Sequence, residues 1–326
     1  MEATSPSRTT GARHINSGQH VTVRVPGSSG NVGPGFDTMG LALGLYDRLT
    51  VTTGGESGTV KVEVAGEGAD QVPADDTHLI IQVMKKVWRR TGFTAGGLSL
   101  RADNAIPHGR GLGSSAAAIV SGALAANALL PAGEKLDDEA LFQLCVELEG
   151  HPDNVAPSLY GGLSISWHAG SSFRTAPVDV LAQVVPVVAI PDAALSTETA
   201  RSLLPNSVSH MSAAANSGRT ALLVHALTTD PSYLLEGTED SLHQGYRASA
   251  MPDSAALMNS MRAAGFAAAV SGAGPTVLVL ANGDAQAQEA KAELAGLLTQ
   301  NGLEKSWRVM NLKVAREGAK VEVHQR

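Results

Sequence analysis

The stretch from Pro107 to Ala118, PHGRGLGSSAAA, has the residue types of an anion-binding loop that runs into a helix. Its glycines leave the main chain bare, and the alanines that follow favour a helix. The first amides of a helix have no partner within it and carry the positive end of its dipole. Ser114 and Ser115 stand where a first-turn hydroxyl could contact a phosphate oxygen or Mg²⁺. The pattern therefore predicts a phosphate cradle at residues 107–118.

Two known phosphate-binding patterns and one structural alternative compete with this prediction. The P-loop pattern GxxxxGK[ST] fails because no lysine follows Gly113. A dinucleotide fingerprint fails because Gly109, Gly111 and Gly113 lack its third spacing, and Pro107 interrupts the junction from strand to turn. A glycine turn before a buried alanine helix, without any ligand, stays open as the alternative. The cradle is therefore expected to be an anion site of another kind.

The elements that must position this loop mix strands and helices without strict alternation. An alternating strand, Val21–Val25, is expected to stop at Pro26 and to lead into a second glycine-rich loop, residues 26–37. Asp76 or Thr77 is expected to cap a helix that begins near residue 79. Further strands are predicted at 49–51, 60–64, 98–101, 163–167, 184–190, 266–270, 277–280 and 309–314, and further helices at 136–148, 213–227, 255–264 and 285–298. The mixture predicts an α+β fold.

The length of 326 residues favours two domains over one core. We expect a polar N-terminal tail at 1–20, a first domain at 21–170 and a second at 171–326, because residues 169–172 form the least patterned break. A formal charge of -7 without a basic block argues against nucleic acid as a partner. No apolar run approaches the roughly 20 residues that span a bilayer, so no membrane segment is expected.

Cys145 is the only cysteine, so the chain can form no internal disulfide, and a reducing cytoplasm is the expected location. It shares a helix face with Leu141, Leu144 and Leu148. This spacing predicts a core residue and argues against a catalytic nucleophile.

A third glycine-rich segment, SGAGPT at 271–276, lies between two apolar strands, and three such loops together indicate a polyanion held by main-chain amides. These segments resemble the three motifs of the GHMP kinases, a superfamily named after galacto-, homoserine, mevalonate and phosphomevalonate kinases. The matching sequences are VPGSSGNVGPGFD at 25–37, GLGSSAA at 111–117 and SGAGPT at 271–276. The first of them, and EGHPDNVAP at 149–157, are most similar to the homoserine kinases.

The resemblance implies a two-domain GHMP kinase fold, with an N-terminal domain like domain 2 of ribosomal protein S5 and a ferredoxin-like C-terminal domain. It implies transfer of the ATP γ-phosphoryl group to the side-chain hydroxyl of L-homoserine, a step toward threonine. The nucleotide-binding residues it implies are Pro107, Gly109, Arg110, Gly111, Leu112, Gly113, Ser114, Ser115, Ala116, Ala117, Gly272 and Gly274. Mg²⁺ is expected on Ser115 and Glu149, with Glu147 as the alternative carboxylate.

An amino-acid substrate needs a clamp for its carboxylate and an acceptor for its ammonium group. The motif context assigns the first role to Arg201 and Arg247, since a guanidinium binds a carboxylate through two parallel hydrogen bonds. It assigns the second role to Asp37 and adds Thr197 to the substrate-binding residues. The two arginines and the aspartate favour an amino acid over the sugar or isoprenoid alcohol that other GHMP kinases phosphorylate.

Asn31 and His151 are expected as hydrogen-bond partners near the substrate hydroxyl. Asp153 is the candidate for a general base, although proton acceptance by the γ-phosphate or by solvent stays open, because a loose transition state needs little early deprotonation. A catalytically silent relative that only binds these ligands is a further alternative. A homodimer is left open.

Overall fold

The computed structural model describes residues 12–324, which contain two main β-sheets and ten α-helices. The strands are β1 (Arg13–His14), β2 (His20–Gly30), β3 (Met39–Thr53), β4 (Val60–Gly66), β5 (Phe93–Thr94), β6 (Leu98–Asn104), β7 (Leu163–Ala169), β8 (Ser172–Val178), β9 (Val184–Pro191), β10 (Ala267–Val270), β11 (Val277–Asn282), β12 (Trp307–Asn311) and β13 (Lys320–His324). The helices are α1 (Leu79–Thr91), α2 (Ser114–Ala128), α3 (Asp138–Glu149), α4 (Pro152–Tyr160), α5 (Thr197–Ser202), α6 (His210–Thr228), α7 (Leu234–Gly237), α8 (Gln244–Arg247), α9 (Pro252–Ala263) and α10 (Gly283–Gln300). Short 3₁₀-helices lie at Ala132–Glu134, Pro231–Tyr233 and Ala248–Ala250.

The first sheet has seven strands in the order β13-β2-β3-β6-β4, and β7 pairs with the beginning of β3 and with β8. In β2, Val21, Val23 and Val25 are fully buried while Arg24 is exposed, because successive side chains of a strand point to opposite faces. The buried face packs against helices α1, α2 and α4. Helix α2 is rich in buried alanines, which let it lie close to α1 and β2.

Two local predictions near this sheet are wrong. Strand β2 does not stop at Pro26 but continues to Gly30, pairing with β3 across an irregularity between Pro26 and Gly27. A proline is tolerated at such a bulge because the ladder is already interrupted there. Helix α1 is capped by His78 and not by Asp76 or Thr77, since the His78 side chain accepts a hydrogen bond from the Ile80 N–H at 3.3 Å.

The second sheet is antiparallel, in the order β10-β11-β9-β12. With α9 before β10 and α10 before β12, it has the ferredoxin-like βαββαβ arrangement predicted for the C-terminal part. Alternate residues of β9 belong to two different clusters of buried hydrophobic side chains. Val187 and Ala189 face α9 and α10, whereas Val188 and Ile190 join the core of the first sheet. The predicted α+β class is confirmed, and one apolar interior connects the two sheets.

The chain crosses between the sheets more often than the predicted domain limits imply. Residues 169–172 form the turn between β7 and β8, which both belong to the first sheet, and β13 returns to pair with β2. In the predicted tail, residues 1–11 lie outside the described range, whereas β1 pairs with β5 and Ile15 is buried in the core. Among residues 12–324, no helix combines the length and the apolar character needed to cross a membrane.

Candidate active site

The three glycine-rich segments meet at one place and are bonded to one another. Ser271 donates its hydroxyl to the Gly111 carbonyl at 2.6 Å and lies 2.9 Å from the Ser29 hydroxyl. The Gly272 N–H donates to the Gly30 carbonyl at 3.0 Å. The three loops are far apart in the chain. These hydrogen bonds bring them together into one wall, which no single loop could form alone.

A cleft of about 610 Å³ opens beside this wall. It brings together fifteen of the residues predicted from the sequence, from all three loops and from the segments that follow α3 and β9. They are Asn31, Asp37, Gly109, Gly111, Gly113, Ser114, Ser115, Glu149, His151, Asp153, Thr197, Arg201, Arg247, Gly272 and Gly274. Asn154, Leu195 and Ala273 line the same cleft.

Five residues of the predicted cradle do not line the cleft. The guanidinium of Arg110 is turned toward the carbonyls of His108 and Asp192, and Pro107 lines a separate groove. The other three are almost fully buried in the first core: Leu112, Ala116 and Ala117. Their side chains pack in the core beneath the cradle and support it, whereas its glycines leave the main chain open to the cleft. The segment therefore combines glycines with apolar residues.

The first turn of α2 presents free amides to the cleft. The Ala117 N–H makes the first bond of the helix, to the Gly113 carbonyl, so the N–H groups of residues 114–116 have no acceptor among the described residues. Gly113 precedes the helix with φ 72°, a left-handed conformation that glycine adopts without strain. A side chain at Gly111 would collide with the Ser271 carbonyl, so glycine is required there by close approach as well. This is the geometry of an anion site.

A carboxylate and a hydroxyl face each other beside these amides. Ser115 donates to Glu149 Oε2 at 2.8 Å, across from the last residue of α3. Burial raises the pKa of Glu149 above its ordinary value, and the charge of Asp153 acts in the same direction, against the hydrogen bond from Ser115 and the charge of His151. Glu147 points away from the cleft and pairs with Lys86 at 3.0 Å. Glu149 is therefore the carboxylate that the cleft offers to a cation.

His151 and Asp153 form a close pair at the start of α4. The ring Nδ1 of His151 lies 2.5 Å from Asp153 Oδ1, and the Asp153 side chain is only 2% exposed. Burial lowers the pKa of His151, but the hydrogen bond and charge of Asp153, together with the charge of Glu149, outweigh it and raise the pKa overall. One oxygen of Asp153, the candidate base, is thus already engaged by the His151 ring, and the raised pKa of His151 favours the protonated form of that ring.

Asp37 and Arg201 are joined by two hydrogen bonds, with nitrogen–oxygen distances of 3.0 and 2.6 Å. These hydrogen bonds raise the pKa of Arg201, and the charge of Asp37 acts in the same direction, against the effect of partial burial.

Asn31 shapes the turn that carries Asp37. Its side chain donates to the Gly272 carbonyl at 2.8 Å and accepts from the Asp37 N–H at 3.0 Å. Asn31 and Asp37 both have positive φ, at 65° and 53°, so Asn31 fixes an unusual backbone.

Arg247 is 1% exposed, yet no carboxylate among the described residues lies within 4.0 Å of it. Its Nε donates to the Ala200 carbonyl at 3.2 Å, and its Nη1 lies 3.0 Å from Nδ1 of His243. Burial, followed by the nearby charge of Arg201, lowers the pKa of Arg247. A buried guanidinium that faces a cleft and has no carboxylate within salt-bridge distance among residues 12–324 favours an anionic ligand.

His243, which the sequence analysis missed, orients this arginine. Its Nε2 donates to the Gly33 carbonyl at 2.7 Å, which leaves Nδ1 as the acceptor for Arg247. Burial lowers the pKa of the fully buried His243 and favours the neutral ring that this arrangement needs. Its spacing of four residues from Arg247 could have identified it, because such residues share a helix face. Phe36, which stacks on His243 at 5.3 Å, had no such signal.

A second pocket, of about 790 Å³, adjoins the cleft because Ser114 and Ser115 line both. Its walls are mainly apolar, with Leu49, Val72, Pro73, Leu79, Ile80, Ala102 and Ala118. Asp47 accepts the main-chain N–H groups of residues 105 and 106 at 2.7 and 2.9 Å, just before the cradle, and burial raises its pKa to about 6. An elongated ligand with one anionic and one apolar end fits the two spaces together.

Comparisons with known proteins agree with this geometry. Residues 78–162 match the GHMP kinases N terminal domain, and residues 223–298 match the GHMP kinases C terminal family. The homoserine kinase of Streptomyces avermitilis is 49% identical over 302 residues, which are 92% of this chain and 95% of that protein. That of Clavibacter michiganensis subsp. michiganensis is 48% identical over 95% of this chain and 96% of its own length.

Solved structures match the same range of the chain. The crystal structure of homoserine kinase from Cytophaga hutchinsonii has a TM-score of 0.82 at 25% identity, covering 93% of this chain and 97% of that one. Mevalonate diphosphate decarboxylase from Staphylococcus aureus has a TM-score of 0.68 at 18% identity, covering 93% and 98%. The second likeness concerns the fold alone.

Proposed function

The chain belongs to the GHMP kinase family, among its homoserine kinases, and from this premise we propose how its residues share the work. It uses ATP to phosphorylate the side-chain hydroxyl of L-homoserine to O-phospho-L-homoserine in threonine biosynthesis. The family and fold predicted from the three glycine-rich motifs are thereby confirmed. The observation that carries the division of roles is that Arg247, a buried cation with no carboxylate within salt-bridge distance among the described residues, lines the same cleft as the free amides of the cradle.

We propose that the triphosphate binds the amides of residues 114–116, with Gly111 and Gly272 leaving room for its oxygens. The purine then occupies the second pocket, because Ser114 and Ser115 border both spaces and the apolar walls suit a flat ring. Those side chains of the cradle that point into the core keep the amides in position while the phosphates bind.

Mg²⁺ fits the donor set that Ser115 and Glu149 provide, since this ion prefers oxygen ligands and keeps several waters. Among the described residues there is no group of three or more His, Cys, Asp or Glu side chains that could hold a metal ion. One hydroxyl and one carboxylate next to the phosphates match the way Mg²⁺ is usually bound in kinases. When bound, the ion would neutralise charge on the transferred phosphoryl group.

For the amino acid, we propose that Arg201 and Arg247 bind the carboxylate and Asp37 binds the ammonium group. Asn31, His151 and Thr197 then border the substrate's side chain. Their support is that all six line the same cleft as the phosphate cradle, and that Asp37 and the two arginines bring opposite charges to it. Such positioning is the main contribution that phosphoryl transfer asks of a protein.

Asp153 serves, in this proposal, to hold His151 and not as the base. One of its oxygens is engaged by the imidazole at 2.5 Å, and the buried pair favours a protonated ring next to the reacting groups. The proton of the substrate hydroxyl passes to the phosphate or to solvent, because a loose transition state requires little deprotonation before transfer. Asn31 holds the turn against which the substrate lies. The cytoplasmic location and the homodimer stay predictions.

A coupled assay of ADP release with L-homoserine, mevalonate and galactose tests the function. We expect turnover with homoserine only, and Arg247→Gln is expected to raise the KM for homoserine while leaving the KM for ATP unchanged. Faster turnover of mevalonate or galactose would assign the chain to another GHMP kinase activity. An absence of turnover with all three compounds would indicate a silent ligand-binding relative.

A further inference from the structure

The amino-acid end of the cleft contains an ion pair that is complete before any substrate arrives. The two terminal guanidinium nitrogens of Arg201 donate to the two carboxylate oxygens of Asp37, and the two side chains are 37% and 36% exposed. Both residues line the cleft. The groups proposed to bind the two charges of the substrate therefore bind each other when it is absent.

Arg247 differs from this pair because no carboxylate of residues 12–324 lies within salt-bridge distance of it. The ring of Phe36, the residue before Asp37, lies near both arginines, 5.8 Å from the guanidinium carbon of Arg201 and 5.5 Å from that of Arg247. The two cations thus lie beside one aromatic ring, but only Arg201 is paired with a carboxylate, whereas Arg247 is hydrogen-bonded to the Ala200 carbonyl and to His243.

A ligand that has a carboxylate but no ammonium group can bind at this site in two ways, and both are unfavourable. It could bind Arg247 alone, or it could also take Arg201 and leave the half-buried Asp37 carboxylate without a partner. Losing one partner of such a pair costs more than the pair contributes, because the remaining charge is poorly solvated. A zwitterion avoids the cost, since its ammonium replaces Arg201 on Asp37 while its carboxylate binds both arginines.

We propose that Asp37 acts as a selectivity gate: its ion pair with Arg201 excludes hydroxy acids that lack an α-ammonium group, and a zwitterion opens the pair by exchanging partners. The inference rests on the proposed function of the cleft. It goes beyond ammonium binding, because it assigns Asp37 a repulsive role toward the wrong substrate. Specificity often depends on such penalties against competitors as well as on contacts to the right ligand.

Two substitutions remove the charge without disturbing the backbone. Asp37 has φ 53°, a left-handed conformation that asparagine and glycine both tolerate, so Asp37→Asn and Asp37→Gly are the suitable variants. The main-chain N–H of residue 37 stays bonded to Asn31 in either case. Asp103→Asn is the matched control, because Asp103 pairs with Arg101 at 3.0 Å on the outward-facing side of β6, outside the cleft.

The experiment compares L-homoserine with 4-hydroxybutanoate, which has the same chain, hydroxyl and carboxylate but no amine. We expect both Asp37 variants to lose kcat/KM for homoserine by about tenfold or more and to gain kcat/KM for 4-hydroxybutanoate by about tenfold. These sizes follow from one charge-assisted contact, reduced for a partly exposed pair. The control variant should resemble the wild type with both compounds.

An unchanged kcat/KM for 4-hydroxybutanoate in both folded variants would overturn the gate and leave Asp37 as an ammonium acceptor only. Thermal unfolding checks that each variant is folded. Calorimetric binding of 4-hydroxybutanoate, in the presence of a non-hydrolysable ATP analogue, tests the gate without turnover, and again the variants should bind about tenfold more tightly. Failure of the wild type to phosphorylate homoserine would count against the proposed function, whereas the binding comparison would still decide the gate.

Discussion

Where we propose that the nucleotide binds, the cleft presents main-chain amides of the cradle, whereas at the proposed amino-acid site it presents the side chains of Asp37, Arg201 and Arg247. The first region depends on glycines, left-handed turns and close contact between loops. The second depends on charges that come from distant parts of the chain, since Asp37 and Arg201 are 164 residues apart.

Because of this difference, the two regions should respond differently to substitution. Truncating a side chain does not remove a main-chain amide, so substitutions other than proline act on the cradle mainly by moving the loop that carries its amides. Charged side chains can be removed one at a time, and each removal affects only the ligand that it contacts. Damage to the cradle should therefore impair both substrates, while damage at the amino-acid end should impair one.

The largest effect is expected from Gly111→Ala. The new methyl group would collide with the Ser271 carbonyl, and φ 75° disfavours alanine there, so the loop must shift. A displacement of about 1 Å can cost roughly 100-fold in rate, and steady-state kinetics should show this loss in kcat/KM for ATP and for homoserine alike. The control is Gly296→Ala in exposed α10, which meets nothing within 4 Å. It should keep full activity and gain about 1 kcal/mol of stability. Normal use of ATP by Gly111→Ala would contradict the cradle.

A smaller and one-sided effect is expected from Arg247→Gln. It removes a buried charge that pairs with no carboxylate in the described part of the chain, so the KM for homoserine should rise about 30-fold, corresponding to about 2 kcal/mol for a charged hydrogen bond. Arg201→Gln should cost less, because Arg201 is partly exposed and its loss also frees Asp37. The KM for ATP should stay within about twofold in both variants. Equal losses for the two substrates would remove the distinction between the regions.

Ser115→Ala sharpens the comparison through pH, because Ser115 belongs to the cradle by its amide and, in our proposal, binds Mg²⁺ through its hydroxyl. Burial raises the pKa of Glu149, and the hydrogen bond from Ser115 opposes that rise. Without the bond the pKa rises further, so the ionised carboxylate that Mg²⁺ needs is lost at a higher pH. The acid limb of kcat/KM for Mg·ATP should therefore move upward, with a loss of about tenfold near neutrality.

The control for this pH shift is Glu147→Gln, since Glu147 points away from the cleft and pairs with Lys86. Its pH profile should match that of the wild type. A profile that shifts with Glu147→Gln and not with Ser115→Ala would transfer the metal site to the other carboxylate.

The smallest effect is expected from His243→Phe, which keeps an aromatic ring against Phe36 but removes both hydrogen bonds. Arg247 then loses its orienting partner, and the KM for homoserine should rise about fivefold, the size of one ordinary hydrogen bond. The kcat and the KM for ATP should be unchanged, which a general loss of structure would not leave intact. His225→Phe, at the exposed end of α6, is the matched control.

Much of the fold and of the nucleotide region could be predicted because the signals are local. Short stretches of sequence predict the apolar spacing of α1 and α3 and the glycines before α2. The resemblance implies that Ser115 and Glu149 lie close together. The end of β2 could not be predicted, since Pro26 is tolerated only because β3 continues the ladder beyond the bulge. The return of β13 to β2 depends on pairing across about 300 residues, for which the sequence carries no local sign.

The amino-acid sequence determined by itself which groups are available: a run of bare amides before a helix, one carboxylate at a helix end, and two arginines in recognisable motifs. Tertiary structure alone decided how they are paired. It turned Arg110 away from the cleft, joined Asp37 to Arg201, and buried Arg247 against His243 with no carboxylate of the described residues in salt-bridge range. The physical reason is that charge pairing depends on distance and burial, and both are fixed only when remote segments pack against each other.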